Sequence, residues 1–290
     1  MLIDVALLFA LGASLAYAFA DVTARFGLHR ADPVVGAMMA LTASVALFTL
    51  AIAASGAEFP AFGAHYLWMA AGGAFNPGLF FVLFFIGISR IGVSRAAPIK
   101  GSSAIFAALL AMVFLGEDPA WYNLAGILLV VVGIAVISSG AAQGHWRRAD
   151  MLWPLGAAVA GAIAALCWRT GIQAFPDTVA GTAVAIFAAL VVVAAYTLAV
   201  RRDRIWDNVQ VSWKFFIVAG AIEGAGKFLY ASALQLGEIY RMLPLIQTSP
   251  LFVVLLSLVV LRQAERITWR VPAGAVLTVG GAILVNVRFV

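Results

Sequence analysis

The stretch AIEGAGKFLY, residues 221–230, places a carboxylate and an ammonium group four residues apart inside an apolar run from about Trp213 to Leu234. A run of that length can span a bilayer as a helix. Glu223 and Lys227 would then share one helix face near mid-membrane, where a charge costs at least about 2.5–3.5 kcal/mol. Two interpretations stay open: a mutual ion pair that neutralises itself, or a substrate or ion site facing a cavity.

The composition of the whole chain indicates a protein built inside a membrane. Of its 290 residues, 64% are hydrophobic and 11% are charged, whereas soluble domains carry about 25% charged residues. The apolar segments do not alternate with polar residues, which favours helices over membrane β-strands. The net charge of +5 is scattered over short loops, which favours contact with anionic lipid and excludes a nucleic-acid-binding domain. We therefore predict an all-α, multi-pass membrane protein.

The apolar segments predict ten transmembrane helices, referred to below as the first to the tenth span. They run roughly over residues 2–26, 34–54, 66–88, 96–115, 121–139, 152–174, 179–200, 213–235, 242–261 and 269–287. Turn-forming pairs such as Asp118-Pro119 and Pro176-Asp177 separate them. Because the loops are short, any functional site must be built from the spans themselves.

The two halves of the chain repeat each other. Four positions recur at a common offset of 148 residues (265 − 117), namely Glu117, Trp121, Gly126 and Gly133 with Glu265, Trp269, Gly274 and Gly281. In the same way, Ser102 and Ser103 correspond to Thr248 and Ser249, and Asn76 corresponds to Glu223. We assign residues 1–140 and 151–290 to two five-helix repeats. Because five is odd, the second repeat must be inverted, a design typical of secondary transporters with a site near mid-membrane.

The same positions carry a family resemblance. The segment GISRIGVSRAAP at 87–98, then FLGE at 114–117, then Gly126 and Gly133 resemble the EamA domain of the drug/metabolite transporter superfamily, and the chain resembles two tandem copies of it. The second half departs from the pattern, because RQAE at 262–265 replaces the compact Leu-Gly-Glu. The resemblance implies ten spans, alternating access and a central cavity lined by the third, fourth, eighth and ninth spans, with contributions from the first and sixth. It names no substrate.

Nine side chains on these spans are candidates for substrate contact. They are Glu223, Lys227, Asn76, Lys100, Arg241, Tyr230, Gln247, Trp168 and Arg169. Asn76 precedes Pro77, which removes a backbone hydrogen bond, so we expect the third span to kink or to free a carbonyl there. Asn76 would then face the cavity or form an interhelical hydrogen bond. Glu223 is also the candidate for proton coupling, unless Lys227 keeps it ionised.

Hydroxyl groups mark the starts of the fourth and ninth spans. The segments PIKGSS at 98–103 and PLIQTSP at 244–250 each combine a proline, a long polar side chain and a hydroxyl pair. Such a helix start can bind carboxylate or phosphate through free N–H groups, although hydroxyls more often bond carbonyls of their own helix. Lys100 and Arg241 would add positive charge or snorkel to the headgroups.

The first and sixth spans offer further polar groups with alternative roles. Asp21 and Arg25 are spaced as an intrahelical ion pair. Arg169 has no such partner four residues away, so it either snorkels or gates the cavity. Trp168 either packs or forms a stacking platform.

We expect neither a metal site nor an enzyme active site. His29, His65 and His145 are far apart in the sequence, the single Cys167 cannot build a zinc cluster, and there is no P-loop. No cofactor is therefore predicted. The expected partners are a small-molecule substrate, the lipid bilayer and protons as a candidate coupling ion, with no nucleic acid.

Two arguments about orientation disagree. The loops after the odd-numbered spans hold 12 basic residues, from Arg30 to Arg270, whereas the other side has Arg288 and Arg241. By the positive-inside rule, the basic loops are cytoplasmic and both termini lie outside. The family resemblance implies termini inside.

The predicted function is secondary active transport of a small polar or amphiphilic metabolite across a bacterial inner membrane by alternating access. An amino acid or related zwitterion is favoured, because Glu223 offers a carboxylate while Lys227 and Arg241 offer cations. The alternatives are a proton-coupled exporter of cationic or aromatic compounds, a non-transporting membrane partner subunit, and a lipid flippase.

Overall fold

The computed structural model describes residues 5–28, 32–91, 96, 99–138, 147–200, 202–204, 209–260 and 269–286. Regular secondary structure within these ranges is helical throughout. The helices of the first half are α1 (Val5–Leu28), α2 (Pro33–Ser55), α3 (Ala64–Gly73), α4 (Phe80–Ile91), α5 (Ser103–Leu115) and α6 (Trp121–Ser138). Those of the second half are α7 (Leu152–Ile172), α8 (Thr178–Val200), α9 (Val209–Leu236), α10 (Ile239–Ile246), α11 (Ser249–Val260) and α12 (Arg270–Asn286). The all-α prediction is confirmed.

These helices form the ten predicted spans. Within the described residues, seven helical stretches are long and apolar enough to cross a membrane, and three shorter apolar helices cover 99–115, 121–137 and 272–286. Two of the spans are interrupted. A π-helical segment, Ala74–Leu79, joins α3 to α4 in the third span, and a turn at residues 247–248 separates α10 from α11 in the ninth.

Local sequence explains where several helices begin and end. The Asp32 side chain accepts a hydrogen bond from the Val34 N–H at 2.9 Å, which caps the start of α2, and Pro33 occupies its first turn. Gly56 and Gly116 end α2 and α5 in the left-handed conformation, each with φ of 66°, which glycine adopts without strain. Turn signals in the sequence therefore mark these ends correctly.

The kink in the third span follows from Pro77, as predicted. Asn76 leaves the helical conformation with φ of −146° and ψ of 117°, and the Asn76–Pro77 peptide bond is cis. Proline supplies no N–H to the helix, so a carbonyl is released from the hydrogen-bond ladder. This irregular backbone lies inside the protein, where buried groups can satisfy it.

The two repeats pack against each other, and a helix contact made by one repeat recurs at the equivalent helices of the other. α1 packs most extensively on α9, and the equivalent pair is α7 with the third span. α2 packs on both α8 and α9, while α6 packs along α12. Elements of one repeat therefore find their main partners in the other repeat.

Glycines show that the second repeat is inverted. A Cβ atom added at Gly126 would lie 2.8 Å from the Gly281 carbonyl oxygen, and one added at Gly133 would lie 2.8 Å from that of Gly274. The order of these contacts means that α6 and α12 run antiparallel. Because they are the fifth spans of their repeats, the two repeats have opposite orientations, which confirms the prediction.

Candidate functional site

A cavity of about 130 Å³ lies between the first, third, fourth, fifth, eighth and ninth spans. Among the described residues, its charged lining consists of two carboxylates and two ammonium groups: Asp21, Glu223, Lys100 and Lys227. Its uncharged polar lining consists of Tyr17, Asn76, Gln247 and Ser249. Phe80, Phe81 and Ile134 supply apolar surface. Five of the nine candidate residues therefore meet at one cavity, where the two interrupted spans approach each other.

Lys227 is buried, with 5% of its surface exposed, and is held by groups other than Glu223. Its Nζ donates a long hydrogen bond to Asn76 Oδ1 at 3.4 Å. It also lies 5.0 Å from the centre of the Tyr17 ring and 5.5 Å from that of Tyr230. An amide oxygen and two ring faces therefore stabilise this ammonium group in place of a carboxylate.

Glu223 does not form the intrahelical ion pair that its spacing allows. Among the described residues, its carboxylate has no hydrogen bond and no ion pair within 4.0 Å. Its electrostatic neighbours are Lys227, Asp21 and Lys100. The carboxylate is thus left facing the cavity, as a group that binds a ligand would be.

Lys100 also belongs to the cavity. Its Nζ lies 4.7 Å from the centre of the Phe84 ring and 5.5 Å from that of Phe80. Both rings belong to the segment that follows the kink in the third span. This contact holds the ammonium group inside the protein, which favours a site role over snorkelling.

Trp168 and Tyr230 lie behind the cavity rather than in its lining. Trp168 Nε1 donates to the Asn76 carbonyl oxygen at 3.2 Å, which satisfies the backbone that the kink leaves open. The Trp168 ring meets that of Tyr230 edge to face, with centroids 5.4 Å apart. Only 1% of Trp168 and 3% of Tyr230 is exposed. Trp168 therefore has a packing and positioning role, and Tyr230 supports Lys227.

Arg169 and Arg241 belong to a separate polar cluster, near the ends of α7 and α9. Arg169 donates to the carbonyl oxygens of Leu234 and Gln235, the latter at 2.9 Å. Arg241 lies 3.7 Å from Glu238 in an ion pair. The ninth span begins at Ile239, three residues before the predicted start at Met242, so Arg241 lies in its first turn, away from the cavity lining.

Glu117 organises this second cluster. Its two carboxylate oxygens accept hydrogen bonds from the N–H groups of Ile239 at 2.8 Å and Tyr240 at 3.1 Å. The side chain thus caps α10 from the loop between α5 and α6. Burial raises the pKa of Glu117, while the two backbone N–H groups oppose that shift. Glu117, the first-repeat copy of the recurring Glu, therefore caps a helix of the other half.

The nine candidates did not include Asp21, Tyr17 or Phe81, which line the cavity, and Ser249 was named only within the hydroxyl pair that starts the ninth span. Asp21 was interpreted as a partner of Arg25, whose side chain lies outside the described residues. Its position inside an apolar span was the signal that could have placed it in the site. Tyr17 and Phe81 carry no such signal in a chain with 20 Phe and 6 Tyr residues.

Within the described residues, no cluster of three or more His, Cys, Asp or Glu side chains could hold a metal ion.

Comparison with known proteins agrees with this architecture. The model of the EamA-like transporter family matches residues 4–139 and again residues 148–287. No curated protein matches the chain. A solved structure described as "Crystal structure of protein" aligns over 98% of both chains with a TM-score of 0.83 and 17% sequence identity. At that identity, the likeness shows the fold alone.

Proposed function

Because the chain belongs to the EamA-like transporter family, we propose that it is a secondary transporter of a small zwitterion, with an amino acid or a close relative as the favoured substrate. The observation that carries this proposal is the charge balance of one cavity. Asp21 and Glu223 face the same space as Lys100 and Lys227. A ligand with one positive and one negative group would find partners for both.

The location of the cavity fits this proposal. It lies where the interrupted third and ninth spans meet, and these spans come from different repeats. Irregular backbone at membrane depth is tolerated where it lines a cavity, and transporters place substrates there. Rocking of one repeat against the other would expose the cavity to the two sides of the membrane in turn.

A bacterial inner membrane is part of the same proposal. The multi-pass membrane architecture follows from the family and from the apolar helices. Charged loops on one side and short connections throughout suit a protein that is inserted directly into a plasma membrane.

The second candidate is a proton-coupled exporter of cationic or aromatic compounds. Tyr17, Phe80 and Phe81 line the cavity next to Glu223, and aromatic faces attract cations. In this mechanism Glu223 would bind either the cation or a proton. Lys100 and Lys227 count against it, because their charges would repel a cationic ligand.

The test is a thermal-shift screen of the purified protein against amino acids, amines and aromatic cations, followed by transport assays in proteoliposomes. A bound ligand should raise the melting temperature by mass action. We expect a zwitterion to stabilise the wild type and to fail to stabilise Glu223→Gln. Lys227→Met should lower the affinity as well.

Lys214→Met is the matched control, because Lys214 lies over the ring of Trp213 and outside the cavity lining. It should bind and transport like the wild type. Stabilisation by amines and not by zwitterions would favour the exporter. Unchanged transport in the Glu223→Gln/Lys227→Met double variant would remove the basis of both candidates.

A further inference from the structure

The ninth span offers a helix start inside the cavity. α11 begins at Ser249 and runs for 12 residues, and Ser249 and Pro250 both line the cavity. Pro250 has no N–H group. The N–H groups of Thr248 and Leu251 are used locally, by Leu245 O at 3.1 Å and Thr248 O at 2.9 Å. Helix N-termini carry partial positive charge and favour anions.

Ser249 has an unused hydroxyl at this helix start. The residue is only 9% exposed, and its buried Oγ has no hydrogen-bond partner among the described residues. The neighbouring Thr248 hydroxyl is satisfied, because it donates to Leu245 O at 2.6 Å and bonds the Ser14 hydroxyl at 3.0 Å. Buried polar groups are nearly always paired, so the Ser249 hydroxyl points to a ligand.

The equivalent residue of the first repeat makes the contrast clear. Ser103 corresponds to Ser249, and its hydroxyl accepts a hydrogen bond from Gln247 Nε2 at 2.5 Å. The protein therefore satisfies one of its two equivalent hydroxyls from within and leaves the other, on a residue that lines the cavity, without a partner among the described residues. This asymmetry would serve a ligand that has one anionic end.

Lys100 lines the same cavity as Ser249 and, unlike Lys227, makes no hydrogen bond to a described residue. Lys227 is already engaged by Asn76, Tyr17 and Tyr230. Among the described residues, the Lys100 ammonium group makes no hydrogen bond; it lies over the rings of Phe84 and Phe80, with Asp21 and Glu223 as its electrostatic neighbours. Because an ammonium group has three N–H donors, Lys100 can donate to a ligand in the same cavity.

We propose that the carboxylate of the transported zwitterion binds at the start of α11, where it accepts a hydrogen bond from Ser249 Oγ and pairs with Lys100. This inference rests on the proposed function. The ammonium end of the ligand then faces the open carboxylate of Glu223, with Asp21 on the same wall. Ser249 and Lys100 thus determine specificity for a carboxylate.

The volume of the cavity limits the size of the ligand. It holds about 130 Å³, close to the roughly 150 Å³ of an engineered protein cavity that accepts benzene. A ligand of about six non-hydrogen atoms therefore fits. L-alanine has that size, so the cavity can hold a short-chain amino acid, which is the ligand class of this proposal.

The experiment titrates the purified full-length protein with L-alanine, L-alaninamide and propionate. Alaninamide lacks the carboxylate and propionate lacks the ammonium group, so wild type should bind alanine most tightly. A hydrogen bond to a charged group corresponds to about a tenfold to hundredfold change in affinity. Ser249→Ala should weaken alanine binding by about that factor and weaken alaninamide binding less, because the neutral amide oxygen accepts a weaker hydrogen bond than a carboxylate does. Lys100→Met should show the same selectivity.

Two further variants control for folding. Ser249→Thr keeps the hydroxyl and should retain the affinity for alanine. Ser232→Ala removes another buried hydroxyl, which donates to Phe228 O of its own helix at 2.9 Å, and should bind like the wild type.

Two outcomes would overturn the subsite while leaving the transport proposal intact. One is wild-type alanine affinity in both Ser249→Ala and Lys100→Met, with loss only in Glu223→Gln. The other is an equal loss for alanine and alaninamide in Ser249→Ala. If none of the three probes bound to any variant or to the wild type, the zwitterion site itself would be overturned.

Discussion

Gly73 and Gly220 occupy equivalent positions in the two repeats, and each is in contact with the backbone of a helix from the other half. A Cβ atom at Gly73 would overlap the Ala185 carbonyl group, and one at Gly220 would overlap that of Ala40. The neighbour in each case is backbone, which cannot rotate away as a flexible side chain could. These two glycines therefore fix how closely the repeats approach.

Gly73→Ala and Gly220→Ala should each lower the free energy of unfolding by at least about 1–3 kcal/mol, the usual cost of overpacking. The melting temperature of the purified protein measures this. Gly280→Ala is the control, because a Cβ atom at Gly280 meets nothing within 4 Å, and alanine favours a helix over glycine by about 1 kcal/mol. Equal melting temperatures for Gly73→Ala and Gly280→Ala would contradict the close contact.

At the residue scale, the sequence identified the charges of the site better than their partners. Glu223, Lys227 and Lys100 stand out because charges in apolar spans are costly, and all three line the cavity. The spacing of Glu223 and Lys227 could not show that Lys227 pairs with Asn76 and Tyr17. Those contacts come from the first and third spans, and spacing along one helix carries no information about them.

At the scale of elements, interrupted helices build the site and Glu117 secures one of them. α10 has only eight residues and begins with N–H groups that need acceptors. The Glu117 carboxylate supplies them from another repeat. Removing a helix cap of this kind lowers the free energy of unfolding by about 0.5–2 kcal/mol.

The raised pKa of Glu117 predicts a pH dependence. Its ordinary value is 4.5, and burial raises it in the folded state. The folded protein therefore holds this proton more tightly than the unfolded chain. The resulting stability is fully present below about pH 4.5 and is lost as the pH rises through the higher folded-state pKa. Glu117→Gln keeps an oxygen acceptor without this titration.

Melting curves of the wild type, Glu117→Gln and Glu117→Ala across this pH range provide the measurement. The stability of the wild type relative to Glu117→Gln should fall as the pH rises. Glu117→Ala, which has no acceptor for the two N–H groups, should be less stable than Glu117→Gln across the range. A wild-type advantage over Glu117→Gln that grew with pH would show that the pKa is lowered instead.

Element boundaries followed the sequence where a local signal exists. Asp32, Pro33 and Gly56 mark the ends of α2, and Pro77 marks the kink. The turn at 247–248 contains neither proline nor glycine. The nearest prolines, Pro244 and Pro250, lie on either side of it and do not mark its position. The start of α10 at Ile239 depends on Glu117, which is 122 residues away. A long-range cap of this kind cannot be inferred from the sequence of the helix itself.

At the scale of the whole molecule, the inverted repeat sets which loops share a side of the membrane. Arg90 and Asp150 lie 3.9 Å apart, so the loops after the third and fifth spans meet on one side. The 12 basic residues counted in the sequence are those assigned there to the loops after the odd-numbered spans. Positive loops are retained in the cytoplasm, so the termini should lie outside.

Reporter fusions at the C-terminus measure this orientation in a bacterial host. We expect a fused alkaline phosphatase, which folds only outside the cytoplasm, to be active, and a fused green fluorescent protein to be dark. The opposite pattern would support the orientation that the family resemblance implies. A fusion after Ser55 at the end of α2 serves as a control, because it lies on the same side as the C-terminus.

The ten-span architecture was predictable from the sequence. Hydropathy predicts the spans, and a repeat with an odd number of spans predicts that the second repeat is inverted. The pairing of the spans was not predictable. Gly126 and Gly133 recur as Gly274 and Gly281, yet only the structure shows that Gly126 meets Gly281 and Gly133 meets Gly274. A residue that recurs in both repeats shows that the two positions are equivalent. It does not show which helices pack against each other in the folded protein.

The partnership of α1 with α9 has a consequence for biosynthesis. α1 leaves the ribosome before its main neighbour α9, which begins about 180 residues later in the chain. At roughly 5–20 residues per second, that gap is roughly 10–35 s. During this interval α1 has been synthesised but its main packing partner, α9, has not. The insertion machinery therefore has to shelter Asp21 from lipid until the second repeat arrives.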